Sequence, residues 1–420
     1  MVSSELPDLT FGVELEFMSP CPPSRQLWVR RGITAAARMN VAQQMAELTA
    51  LPIACQCTHD PGHETCAICD GSESEIHDRI RVLSHGEDFA RRPGSQLEQN
   101  YFLFKHEHLD GRSYVNSNRD WPGVEISSPI FQAGEWSAGL PTLNTAISAL
   151  REMDAEITAD ESCGLHVHIG VQGGMTILLA KKIITLVMIL EDSLLFDLVG
   201  TSRLANENAD AINLESIMAK GEIPAHDFAE DPTGSDNLMG AHVPPMEAMK
   251  PELWNQHDPE RFYDMLTKVW SSKSLQRLSM LTKKESSSRG AFDIALRDHT
   301  GLPRPPVCHG TFDGGPTTVE FRYAQMSFDI PFIRNWIEVL FHIVRIAHQS
   351  PGDFKNSLAT IFELTAKTAA ENKLAWDAIM EGVLGLGDRI PEWKRQRHLY
   401  HTGKEISHLD EHMLLLPPGA

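Results

Sequence analysis

The chain has 420 residues, 42% of them hydrophobic and 22% charged, a balance that suits a globular protein with a large core. Its 57 acidic residues outnumber 37 basic ones, for a formal net charge of −20. That excess argues against a nucleic-acid-binding surface and against adhesion to anionic membranes, while local arginines and metal ions can still admit a nucleotide.

The opening stretch, MVSSELPDLT, has no basic region followed by an apolar core, and seven cysteines are an odd number, so a reducing, cytoplasmic setting is expected. FGVELEFM (11–18) alternates like a strand, and 32–51 is rich in helix formers. A Cys/His-rich loop is expected over 55–71. Strands are expected over 100–107, 112–117 and 123–131, a helix over about 135–153, and a strand over 164–171. The most apolar segment, 175–199, is interrupted by Lys181, Lys182, Glu191 and Asp192 and reads as a buried helix, not a membrane span.

Residues 205–260 are acidic and broken by Gly and Pro; they are expected to form a long insertion, either a lid or an inert surface excursion. A helix over 259–282 and strands over 291–298 and 317–326 follow, and the rest is largely helical. Strands scattered irregularly among helices favour an α+β arrangement with a mainly antiparallel sheet. We expect one catalytic domain over 1–350, with the 55–71 and 205–260 insertions, and a helical C-terminal extension over 351–420.

The strands share a pattern. Side chains at i and i+2 point to one side of a sheet, so Glu14 and Glu16 oppose Val13, Leu15 and Phe17. Glu125 lies between Val124 and Ile126, His166 and His168 oppose Leu165, Val167 and Ile169, and Glu320 and Arg322 oppose Val319, Phe321 and Tyr323. Each strand alone could carry a solvated polar face. Together they read as a sheet with its back on helices and its front lined by carboxylates, imidazoles and a guanidinium. Such carboxylates repel one another unless divalent cations neutralise them, and an oxygen-rich set with an imidazole suits Mg²⁺ or Mn²⁺ with ATP phosphates.

The four segments FGVELEF, GVEISSPI, CGLHVHIG and TTVEFRYAQMSFD, in that order, resemble the amidoligase family of the carboxylate–amine ligase superfamily, which includes glutamine synthetase and glutamate–cysteine ligase. The resemblance implies a curved antiparallel sheet with a carboxylate-lined concave face and an ATP- and Mg-dependent amide synthesis through an acyl phosphate. It implies metal binding by Glu14, Glu16, Glu125, His166 and Glu320, nucleotide contact by His168, and phosphate contact by Arg322, with Arg203 matching a further family arginine. The partners it implies are a small-molecule carboxylate and an amine. After VEFR the family often has a Gly-Thr pair where this chain has YAQMSFD. A metal-dependent hydrolase and a non-catalytic nucleotide or metal binder are the alternative readings.

In CQCTHDPGHETCAICD, Cys55, Cys57, Cys66 and Cys69 are spaced like zinc ligands, with His59 and His63 between them. Structural zinc, unliganded thiols and a disulfide pair all remain open for this loop.

Overall fold

The computed structural model describes residues 9–20, 33–56, 79–83, 100–109, 120–221, 239–249, 258–286, 288–297 and 317–419. Its strands are β1 (Leu9–Met18), β2 (Ile53–Gln56), β3 (Ile80–Leu83), β4 (Phe102–Glu107), β5 (Gly123–Ser127), β6 (Phe131–Gln132), β7 (Gly164–Val171), β8 (Phe292–Ala295) and β9 (Thr318–Gln325). They join in one open sheet in the order β3-β2-β4-β5-β1-β7-β9-β8, with β6 also on β1. Among the described strands only β2 pairs in parallel, with β3 and β4; the other pairs are antiparallel, so the expected mainly antiparallel sheet is observed.

The longer helices are α1 (Ile33–Leu48), α2 (Pro141–Glu152), α3 (Ile177–Leu190), α4 (Pro259–Ser271), α5 (Leu275–Thr282), α6 (Ile330–Ala347), α7 (Pro351–Ala370) and α8 (Ile390–His401). Val13, Leu15, Leu165, Val167, Val319 and Phe321 are buried in one cluster with Ile337, Leu340, Phe341 and Val344 of α6 and with much of α3. Period-2 apolar faces on strands and apolar stripes on helices thus bury each other. Phe354 and Leu358 of α7 and Trp393 of α8 join that same cluster, so the C-terminal helices share the core of the sheet.

Three expected helices are interrupted for local reasons. The 135–153 segment breaks at Gly139 and Leu140, both at positive φ (88° and 60°), and restarts with Pro141. The 259–282 segment breaks where Ser274 caps α5 by accepting from the Arg277 amide at 3.1 Å. The 175–199 segment is α-helical only to Leu190 and then widens into a π turn over Glu191–Leu195. The buried Glu191 carboxylate there accepts from the Ile212 and Asn213 amides, both at 3.0 Å, and from the Tyr323 hydroxyl at 2.8 Å.

Among the described residues the lysines of α3 have no carboxylate partner and are buried against carbonyls. Lys181 donates to the Trp270 carbonyl at 2.8 Å and Lys182 to that of Gln349 at 2.6 Å, carbonyls at or just past the C-terminal ends of α4 and α6. No helix among the described residues is long and apolar enough to cross a membrane. Within 205–260, Ile212, Met218, Met239, Val243 and Met249 are buried in the common core, while 222–238 and 250–257 lie outside the described residues. The strand expected over 112–117 also lies outside them.

Candidate active site

Strand register assembles the site. Glu14 stands opposite His166, and Glu16 opposite Glu125. His168 stands opposite Glu320, which in turn faces Asp293 on β8. Directly opposed residues share a face, so one side of the four adjacent strands β5, β1, β7 and β9 carries the glutamates and histidines expected at the site. Between Leu165–Ala324 and Val167–Phe321 the register shifts, giving β9 one extra residue against β7. Such a bulge re-aims side chains, and here Arg322 Nη1 lies 3.2 Å from His166 Nδ1 and 2.7 Å from Glu320 Oε1.

Two sets of possible metal donors result. The ligand atoms of Glu14, His166 and Glu320 lie within 4.8 Å of one another, and so do those of Glu16, Glu107 and Glu125. Both imidazoles turn a nitrogen to Glu14 and Glu320: His166 Nδ1 at 3.4 and 3.8 Å, His168 Nε2 at 3.6 and 3.9 Å. Thr318 Oγ1 holds the other nitrogen of His168 at 3.1 Å. Among the described residues the Nε2 atoms of both histidines are buried without a hydrogen-bond partner, that of His166 standing 3.3 Å from Glu16 Oε1. Orphaned imidazole nitrogens among carboxylate oxygens fit a hard divalent cation with octahedral preference, Mg²⁺ or Mn²⁺.

The charges are arranged in opposition. Burial pushes the Glu14 and Glu320 carboxyls up, but Lys105 and His168 around Glu14, and Arg289 and Arg322 around Glu320, outweigh it and hold both well below the carboxylate range. Burial carries Glu16 up to about 8 against the pull of Arg322. It also raises Glu125 to about 7, with repulsion from Glu14 adding to the effect. Burial, followed by the Arg322 charge, lowers His166 to about 3, so its ring is neutral and carries a lone pair.

Residues that the sequence did not single out complete the site. Lys105 Nζ bridges Glu14 Oε1 at 3.1 Å and Glu125 Oε1 at 2.8 Å, and Ser127 Oγ donates to the same two oxygens at 3.0 Å. Arg289 Nη1 reaches both oxygens of Glu320, at 3.0 and 2.8 Å. Lys105 and Glu107 show the same i, i+2 spacing in NYFLFKHE as the expected site residues, a usable signal. Arg289 precedes β8 in a stretch without periodicity, so no comparable signal marks it.

Arg203, expected to be catalytic, is fully buried. It donates to the carbonyls of Ser162 at 3.1 Å and of Glu161 and Arg322 at 3.4 Å. Its hydrogen bonds thus tie the entrance of β7 to the bulge of β9, and its Nη2 stands with His166 Nε2 and Glu16 Oε2 around Gly164. Of the loop cysteines, Cys55 belongs to β2 and is buried, not in a loop, because IACQ pairs with both β3 and β4. Cys57, His59, His63, Cys66 and Cys69 lie outside the described residues.

Residues 7–270 match the model of a family described as "putative amidoligase enzyme". No curated protein and no solved structure matches the chain. The matched span holds Glu14, Glu16, Glu107, Glu125, His166, His168 and Arg203, and β9 brings Glu320 and Arg322 to them from beyond it. With well over half of the chain matched, the protein belongs to the amidoligase family.

Proposed function

We propose that this amidoligase joins a small-molecule carboxylate to an amine at the expense of ATP, through an acyl phosphate, on a glutamine synthetase-like sheet. The observation that carries this reading is the buried face on which Glu14, Glu16, Glu125, His166, His168 and Glu320 meet Arg322. Carboxylates outnumber imidazoles there, which favours Mg²⁺ with a nucleotide over a zinc-activated water.

Glu14, His166 and Glu320 would hold one cation, and Glu16, Glu107 and Glu125 a second; His168 would contact the nucleotide. Bound there, divalent cations neutralise the carboxylates and polarise phosphoryl oxygens. The chain's own task is to align and stabilise. A substrate carboxylate oxygen attacks the γ-phosphorus, the bond to the β,γ-bridging oxygen breaks, and ADP leaves. Arg322, held by Glu320 beside His166, presents a planar guanidinium to the charge that grows on the equatorial oxygens. An amine nitrogen then attacks the acyl carbon, loses a proton and expels phosphate, leaving the amide.

The test is the fate of the nucleotide and of the oxygen. Carboxylate labelled with oxygen-18 should yield ADP and phosphate carrying one label, because that oxygen bridges carbon and phosphorus in the intermediate. AMP with pyrophosphate, or unlabelled phosphate, rules the mechanism out.

A further inference from the structure

We propose that Arg289 is a switching residue, which occupies the cation's place on Glu320 and turns to the nucleotide phosphates once that carboxylate is claimed by a metal ion; this rests on the ligase reading above. Glu320 is fully buried and carries two guanidiniums at once: Arg322 Nη1 at 2.7 Å and Arg289 Nη1 at 3.0 and 2.8 Å. The same carboxylate belongs to the Glu14, His166 and Glu320 donor set. Two guanidiniums already occupy both oxygens of Glu320, so a divalent cation that claims this carboxylate competes with them and favours the departure of one.

The structure distinguishes which one moves. The Arg322 side chain is 8% exposed and braced against His166, whereas that of Arg289 is 47% exposed. The backbone around Arg289 is anchored: the Ala291 amide donates to the Asp210 carbonyl at 3.0 Å, and the Ala291 carbonyl accepts from Arg322 at 2.8 Å. A Cβ on Gly290 would lie 2.9 Å from the Asp210 oxygen, so the chain passes there at close quarters. The side chain is therefore the part free to swing.

The neighbouring carboxylates already have lysines. Lys283 takes Asp293 at 2.6 Å, and Lys284 takes Asp210 at 3.1 Å. Displaced from Glu320, Arg289 has no other carboxylate ion pair among the described residues, and phosphate oxygens are the anions the reaction brings. Metal and nucleotide binding are then coupled through one side chain.

The coupling predicts effects of opposite sign in Arg289→Gln. On the full chain, Mn²⁺ affinity followed by electron paramagnetic resonance should rise roughly twofold to fivefold, since a half-exposed competing ion pair is removed. Affinity for ADP with Mn²⁺, by calorimetry, should fall roughly tenfold or more, with Arg289→Lys intermediate. A merely structural role would weaken both, and that result, or an unchanged nucleotide affinity, overturns the switch while leaving the ligase reading intact. Failure of the unaltered protein to bind Mn²⁺ at all would overturn both.

Discussion

The Gly164 amide donates to Glu16 Oε2 at 2.6 Å, at the point where β7 enters the site. A Cβ at 164 would lie 2.5 Å from both Arg203 Nη2 and His166 Nε2 and 3.0 Å from Glu16 Oε2. The glycine that opens the HxH strand is thus the space into which three site side chains close. All three are buried and cannot simply turn away. Gly164→Ala should lower turnover about tenfold to a hundredfold through misplacement of these groups. Its stability loss should be only about 1–3 kcal/mol. Full activity with normal stability would show that the contact is slack.

Arg322→Ala should cut turnover by about two to four decades, because its contribution grows with transition-state charge. Arg322→Lys should restore only part of it, as an ammonium cannot span two phosphate oxygens. Glu320 keeps Arg289 in either variant, so thermal unfolding should shift little. Loss of activity matched by collapse of the melting temperature would place Arg322 in the scaffold instead.

Arg203 should behave in the reverse way. Its removal leaves the buried Arg322 carbonyl and the partly buried Ser162 and Glu161 carbonyls without that donor, at a cost of about 1–3 kcal/mol. Denaturant titration of Arg203→Ala should show a large shift in midpoint. A variant as stable as the unaltered protein but inactive would restore the catalytic reading.

Glu191 provides a pH test away from the metal donors. Burial pushes its carboxyl up to about 8 from 4.5, despite donors at Ile212, Asn213 and Tyr323. The folded state therefore holds the proton more tightly than the unfolded one. This stabilises the fold fully below pH 4.5 and is lost progressively as pH rises to about 8. Glu191→Gln has no such loss, so its stability relative to the unaltered protein should climb across that window, read as the difference in unfolding free energy. A pH-independent difference would mean that the three donors keep the group ionised.

Protein purified without chelators should carry close to one zinc per chain if Cys57, Cys66 and Cys69 act with Cys55 or with a loop histidine as ligands. Its removal should lower the melting temperature before it lowers turnover. Elemental analysis finding no zinc would leave these thiols unliganded or paired with one another.

Alternation along single strands made Glu14 and Glu16, His166 and His168, and Glu320 and Arg322 legible as pairs on common faces, because side-chain direction within a strand has a strict period of two. Residue pattern alone set the apolar backs of those strands, the mainly antiparallel character of the sheet and the buried helix after the HxH strand. It did not determine whether Glu14 and Glu320, some three hundred residues apart, face the same side, since that depends on pairing register and on the bulge in β9. It was silent on Arg289, which reaches Glu320 from a segment without periodicity. It could not show that Arg203 reaches the carbonyls of Ser162 and Arg322, which only the folded chain brings together. Local pattern sets which way a side chain points from its own strand; only the packed sheet decides what stands opposite it.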